Sequence, residues 1–216
     1  MLEATRLAQI IHEMDNYRLD ILGICESRWN GFGEHHSASG ELLLYSGKPP
    51  NEKHANGVAL LITKNLTKSL IEWKPINDRI LIARFKTKVR NLTIVQCYAP
   101  TEPSTDEDKD IFYETLNTTL NAIKKSDMMI VMGDFNAKVG SDNRNSEDIM
   151  GKHGLGNRNN NGDRLLGMCS NYQLTIGGTL FPHNVVHKAT WKSPDGHTTN
   201  QIDHFLISRK WRNSLF

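Results

Sequence analysis

At 216 residues, 38% hydrophobic and 23% charged, the chain has enough apolar side chains for a real core, which argues against a disordered segment. A net charge of +2 with a pI near 8.4 permits a nucleic-acid partner without demanding one. The cysteines, Cys25, Cys97 and Cys169, lie far apart with no CxxC spacing, so they read as buried thiols of a reduced protein rather than as a disulfide scaffold.

The opening "MLEATRLAQIIHEMD" is no signal peptide, because acids interrupt it and no apolar core follows. No run approaches the ~18 apolar residues of a membrane span. A nuclear or cytoplasmic protein without membrane contact is expected. Leu7, Ile10, Ile11 and Met14 fall at helical spacing and predict a first helix. "RLDILGICES" follows as an apolar strand ending on Glu26. A loop rich in Gly, His and Ser then leads to two more strands, "ELLLYSG" and "GVALLIT".

From Leu66 to Ala99 the pattern is β-structure: "SLIEWKP", "RILIARFKT" and "NLTIVQCYAP", parted by short polar turns. In the last, Leu92, Ile94, Gln96 and Tyr98 share one face and Thr93, Val95 and Cys97 the other. "PSTDEDKD" opens a helix in which Ser104 and Glu107 have capping-box spacing. Phe112, Leu116, Leu120 and Ile123 form its apolar stripe. A strand over 128–133 comes next, then a polar loop from Lys138 to Asn161, long enough to be functional or mobile. "GDRLLGMCSNY" predicts a helix, "QLTIGG" a strand and "QIDHFLIS" a final strand. The order predicts an α/β protein: two sheets packed together with helices outside, in one domain over 1–216.

Glu26, Tyr98, Asp134 and Asn136 share a feature: each lies at or just past the end of a predicted strand. If those strands are parallel neighbours, their ends converge on one rim, where α/β sheets bind ligands. Carboxylates gathered there need a cation or a shared proton, and oxygen ligands suit magnesium or calcium rather than zinc. Each residue also has a plain structural reading. A glutamate ending a strand can be solvated, Asp-Phe-Asn can be turn chemistry, and Tyr98 can be a core aromatic. The histidines show no metal-ligand spacing, and no GxSxG elbow or glycine-rich nucleotide loop occurs in the required context.

The ordered set "GICESRW", "CYAPT", "VMGDFNAKVG", "ATWKSPDG" and "NQIDHFLIS" resembles the exonuclease–endonuclease–phosphatase superfamily over the whole chain. Within it the sequence is most similar to endonuclease domains of non-LTR retrotransposons and to the retrotransposon-derived craniofacial development protein 2 proteins. The resemblance implies a four-layer α/β/β/α sandwich of the DNase-I-like kind, and magnesium (with manganese as the substitute ion) as cofactor. It implies that Glu26 is the metal ligand and that Tyr98 approaches the scissile phosphate. Asp134 would activate the attacking water, and Asn136 would hydrogen-bond a phosphate oxygen. Asp203 would orient a catalytic histidine, and Thr190 would lie on the substrate side. His204, adjacent to Asp203 on a strand, faces the other way and is no substitute for that histidine.

The family pattern begins with a strand ending in Trp-Asn and closes with Ser-Asp-His beyond the Ile-Asp motif. This chain shows neither, so it is expected to lack the first and last strands, to be truncated at both ends, and to be impaired in catalysis. The expected function is magnesium-dependent phosphodiester hydrolysis of DNA. The alternatives are an inert DNA-binding or chromatin-associated derivative, and a phosphatase or phosphodiesterase of the same superfamily. DNA is the expected partner; nothing in the sequence points to a protein partner.

Overall fold

The computed structural model describes residues 4–215. The chain forms two compact units, Met1–Tyr98 and Ala99–Phe216.

In the first unit, α1 (Ala4–Asn16) precedes β1 (Ile21–Cys25), β2 (Phe32–His36), β3 (Leu42–Ser46) and β4 (Val58–Ile62). These strands pair antiparallel in the order β1-β4-β3-β2. The helical turn α2 (Lys64–Thr67) leads to an antiparallel meander of β5 (Leu70–Asn77), β6 (Ile80–Phe85) and β7 (Leu92–Tyr98). Strand alternation sorts the leucines of β3 and β4. Leu43, Ala59 and Leu61 pack against Leu7 and Met14 of α1, with Leu22 and Ile24 of β1 beside them. Leu42, Leu44, Val58, Leu60 and Ile62 point the other way and are equally buried, filling the space toward the meander. The unit is thus three layers, helix on sheet on sheet.

The glycine inside β1 follows from this stacking. A Cβ on Gly23 would lie 2.0 Å from Oε1 of Gln96 on β7, so glycine leaves the space that the Gln96 side-chain amide occupies between the two strands. Two residues on, the Cys25 thiol donates to the Cys97 carbonyl at 3.2 Å and accepts from the Gln96 side-chain amide at 3.2 Å. All three cysteines are free thiols, as composition implied.

The second unit opens with α3 (Asp106–Asn121) and β8 (Met128–Asp134), followed after a long loop by α4 (Asn160–Tyr172) and β9 (Leu174–Ile176). A short helix α5 (Val185–Lys188) and a hairpin of β10 (Trp191–Lys192) and β11 (Thr199–Asn200) precede β12 (Asp203–Ser208). β12 pairs antiparallel with β8 on one side and β9 on the other. Phe112, Leu116 and Leu120 of α3 and Leu165, Met168 and Cys169 of α4 bury the helices' apolar stripes.

Two local expectations are corrected. β2 occupies part of the predicted Gly/His/Ser loop; it is an edge strand whose polar residues are mostly exposed, so no hydrophobic alternation marks it. The cap of α3 lies one residue beyond Ser104: the Thr105 hydroxyl accepts from the Asp108 N–H at 3.1 Å. The 138–161 loop carries hydrogen bonds of its own. Arg158 donates to the carbonyls of Val139 at 3.1 Å and Asp142 at 2.6 Å, and Lys138 N–H donates to Asn159 Oδ1 at 2.8 Å.

Candidate functional site

The sequence-predicted residues fall into two clusters, one inside each unit. Within each unit the paired strands named above run antiparallel, so parallel pairing inside a unit is not what gathers the site residues. In the first unit convergence comes instead from stacking one sheet on the other.

β1 and β7 end on the same side of that stack. Tyr98 is 8% exposed, and its hydroxyl donates to Glu26 Oε1 at 3.0 Å. Arg28 donates to the other carboxylate oxygen, also at 3.0 Å. Glu26 and Arg28 both adopt left-handed backbone, with φ of 53° and 55°. Such backbone is costly for side chains of this size and persists where the surroundings over-determine it. Here Ser27 N–H donates to Gly57 O and Arg28 N–H to Asn56 O. Arg79 lies over the Tyr98 ring, 5.1 Å from its centroid, and donates to the Tyr98 carbonyl at 3.0 Å. Arg28 and Arg79 escape a reading of the sequence: their contacts depend on a left-handed turn and on a ring from a distant strand.

In the second unit, residues beyond β8 keep the strand's alternation. Phe135, Ala137 and Val139 are buried, whereas Asp134, Asn136 and Lys138 are partly exposed. Asp134 and Asn136 therefore lie on one side, as their spacing implied, and turn chemistry also operates: Asn136 N–H donates to Asp134 Oδ1 at 2.8 Å. Asn136 is left-handed, with φ of 48°. Its amide donates to the Ala99 carbonyl at 3.0 Å, and its own carbonyl accepts from the side-chain amides of Asn159 and Asn161, both at 3.2 Å. Asn161 is 1% exposed and also donates to the Pro100 carbonyl. This asparagine support is long-range and escapes sequence reading, although the run "NRNNNGD" marks where to look.

Asp203 opens β12 directly opposite Asp134. Directly paired residues have Cβ atoms about 5 Å apart, so two carboxylates are cross-strand neighbours. Desolvation at the strand end raises the Asp203 carboxyl above its ordinary pKa, and the Thr190 hydroxyl pulls it part of the way back. The Thr190 oxygen also accepts from the N–H groups of Ile202 and Asp203, at 3.1 and 3.2 Å. Thr190 thus braces the start of β12. His204 points inward as alternation requires. It is 5% exposed, its Nε2 lies 2.7 Å from the Ala137 carbonyl, and burial pushes its pKa down to about 4.

The comparisons with known proteins bear on the family and the fold. A family model described as endonuclease/exonuclease/phosphatase matches residues 2–214. Craniofacial development protein 2 of Tragulus javanicus and of Bos taurus is 38% identical over 210 residues, or 97% of this chain. The matched region is 36% and 35% of those proteins, so the chain spans about a third of their length. The solved endonuclease domain of a telomere-specific non-LTR retrotransposon superposes with a TM-score of 0.61 at 16% identity, covering 94% of this chain and 79% of that one. A 3′ phosphatase from Neisseria, bound to a product DNA hairpin, gives 0.65 at 15% identity, covering 97% and 84%. The structural likenesses establish a DNase-I-like mixed α/β fold with several sheets, the class expected from the sequence. With a family model and close relatives both spanning nearly the whole chain, and with strand ends carrying the residues that the motifs singled out, this chain belongs to the endonuclease/exonuclease/phosphatase family.

Proposed function

We propose that the chain is a divalent-cation-dependent phosphodiesterase acting on the DNA backbone, in the manner of a retrotransposon-type endonuclease. Family members are generally nucleases or phosphodiesterases and typically use divalent metals. The observation that carries the reading is the Asp134–Asp203 carboxylate pair at one strand end, braced by Thr190 and by the Asn136 turn. Opposing like charges add nothing to stability, and two carboxylates at one strand end support a role in handling a proton or a cation.

The residues of the first unit fit a magnesium ion. Glu26 offers a hard carboxylate whose side chain is 49% exposed, fixed by the Tyr98 hydroxyl rather than sealed in hydrocarbon. Among the described residues no group of three or more His, Cys, Asp or Glu forms a cage. That pattern suits magnesium, which keeps several waters and takes one or two protein carboxylates, better than calcium or zinc. When bound, the cation supplies Lewis acidity to a phosphate oxygen and to the departing 3′ oxygen.

The chain's own groups supply the rest. Asp134 takes the proton of the attacking water as general base, and its Oδ1 bond to the Asn136 N–H fixes the carboxylate's orientation. An amide carries two N–H donors; Asn136 gives one to Ala99, and the other stabilises charge on a phosphate oxygen. Asp203, directly across from Asp134, serves to orient the groups at that strand end. Thr190 sets the position of Asp203, and Tyr98 that of Glu26.

The test is nicking of supercoiled plasmid by the purified chain in magnesium. Slow nicking that EDTA stops, and that Asp134→Asn and Glu26→Gln each reduce to background, is the expected result. Nicking that survives both substitutions would refute the assignment. Release of phosphate from 3′-phosphorylated ends without nicking would favour a phosphatase.

A further inference from the structure

Glu26 lies between two donors, a neutral phenol on one oxygen and the Arg28 guanidinium on the other. The arrangement is built rather than incidental. Ser27 and Arg28 are tied by backbone hydrogen bonds to Gly57 and Asn56, and His54 Nδ1 lies 3.0 Å from the Arg28 carbonyl. Gly57 has no room to change, since a Cβ there would meet Ser27 Oγ at 2.4 Å. The result holds two left-handed residues, a carboxylate and a guanidinium, two positions apart on a strained rim.

Stability does not explain the pair. The two side chains are 61% and 49% exposed, and exposed ion pairs contribute little to folding. The consequence falls on Glu26 itself. A guanidinium on one carboxylate oxygen repels any cation approaching that group, and its planar fork is the side chain best shaped to grip a phosphate. We propose that Arg28 competes with the divalent cation for Glu26 and, once displaced, binds a non-bridging phosphate oxygen of the DNA backbone. Arg28 is then a substrate-binding residue that couples arrival of the cation to capture of the DNA. The inference rests on Glu26 being the cation ligand.

The experiment measures two affinities of the full chain separately. Binding of Mn2+ is followed by electron paramagnetic resonance, and binding of a labelled phosphorothioate duplex by fluorescence anisotropy over a range of salt. Arg28→Ala is expected to bind Mn2+ about two- to fivefold more tightly, the amount by which an exposed pair competes. The same variant is expected to bind duplex more weakly, with a salt dependence shallower by about one counterion. A merely structural role would weaken both affinities or leave the salt slope alone, and either result overturns the proposal. Arg28→Gln carries the same expectations if Arg28→Ala loses cooperative melting. Glu26→Gln separates the two layers of reasoning. If that substitution removes Mn2+ binding while Arg28→Ala leaves it unchanged, competition is wrong and the ligand assignment stands. If Mn2+ binding ignores Glu26→Gln, both fall.

Discussion

Replacing Asp203 with asparagine should make the protein more stable at neutral pH while removing a group proposed for function. Asp203 and Asp134 are direct cross-strand partners, and like charges in that position cost about 0.2–1 kcal/mol. Asparagine keeps the shape, still accepts from the Thr190 hydroxyl, and can donate to the Asp134 carboxylate. Asp203 is solvent-exposed, so screening keeps the gain inside that range, a few tenths to about 1 kcal/mol, or at most roughly 2–4 °C in Tm for a chain of this size. The sign of the pH dependence is fixed by the raised pKa of Asp203. The folded state holds that proton more tightly than the unfolded chain, so ionising Asp203 costs stability. The cost is absent below the ordinary value of 3.8 and accumulates as pH rises through the folded-state value. Urea unfolding of wild type and Asp203→Asn should therefore give a difference near zero at about pH 3 and the full gain at pH 7. A variant less stable at pH 7, or a gain of equal size at both pH values, would refute the charge-pair argument.

Three further outcomes can be checked by the same unfolding measurements. His204 is depressed to about 4 by burial, so the folded state prefers it neutral; wild type should lose stability as pH falls from about 6.5 toward 4, and His204→Gln should lack that part of the loss. Gly57→Ala forces a side chain onto φ of +92° and against Ser27 Oγ, and should cost about 1 kcal/mol or more. Thr105→Ala removes the α3 cap at a cost of about 1 kcal/mol, whereas Ser104→Ala should be near neutral, which distinguishes the observed cap from the one the spacing suggests.

What the sequence reveals, and what it hides, follows from range. Strands β3, β4, β6 and β7 are legible because they are buried apolar runs ended by turn residues, and α1, α3 and α4 because apolar positions recur at helical spacing. β2 is hidden because an exposed edge strand needs no apolar face. Among site residues, Asp134 and Asn136 are legible as a pair because alternation beyond β8 keeps them on one side, whereas Asp203 is reached only through the family resemblance. The meeting of Glu26 with Tyr98 is legible only through family resemblance, since it depends on stacking two sheets with Gly23 as the spacer. Arg28, Arg79, Asn159 and Asn161 could not be singled out, because left-handed turns and carbonyls distant in sequence decide their partners.

The most direct test of the proposed chemistry is to cleave a defined DNA duplex in magnesium and 18O-labelled water and weigh the products. Attack by water activated at Asp134 places one labelled oxygen on each new 5′ phosphate and leaves a 3′ hydroxyl, and Asp134→Asn abolishes both products. Unlabelled ends, 3′ phosphates, or the same labelled products from Asp134→Asn would contradict the account.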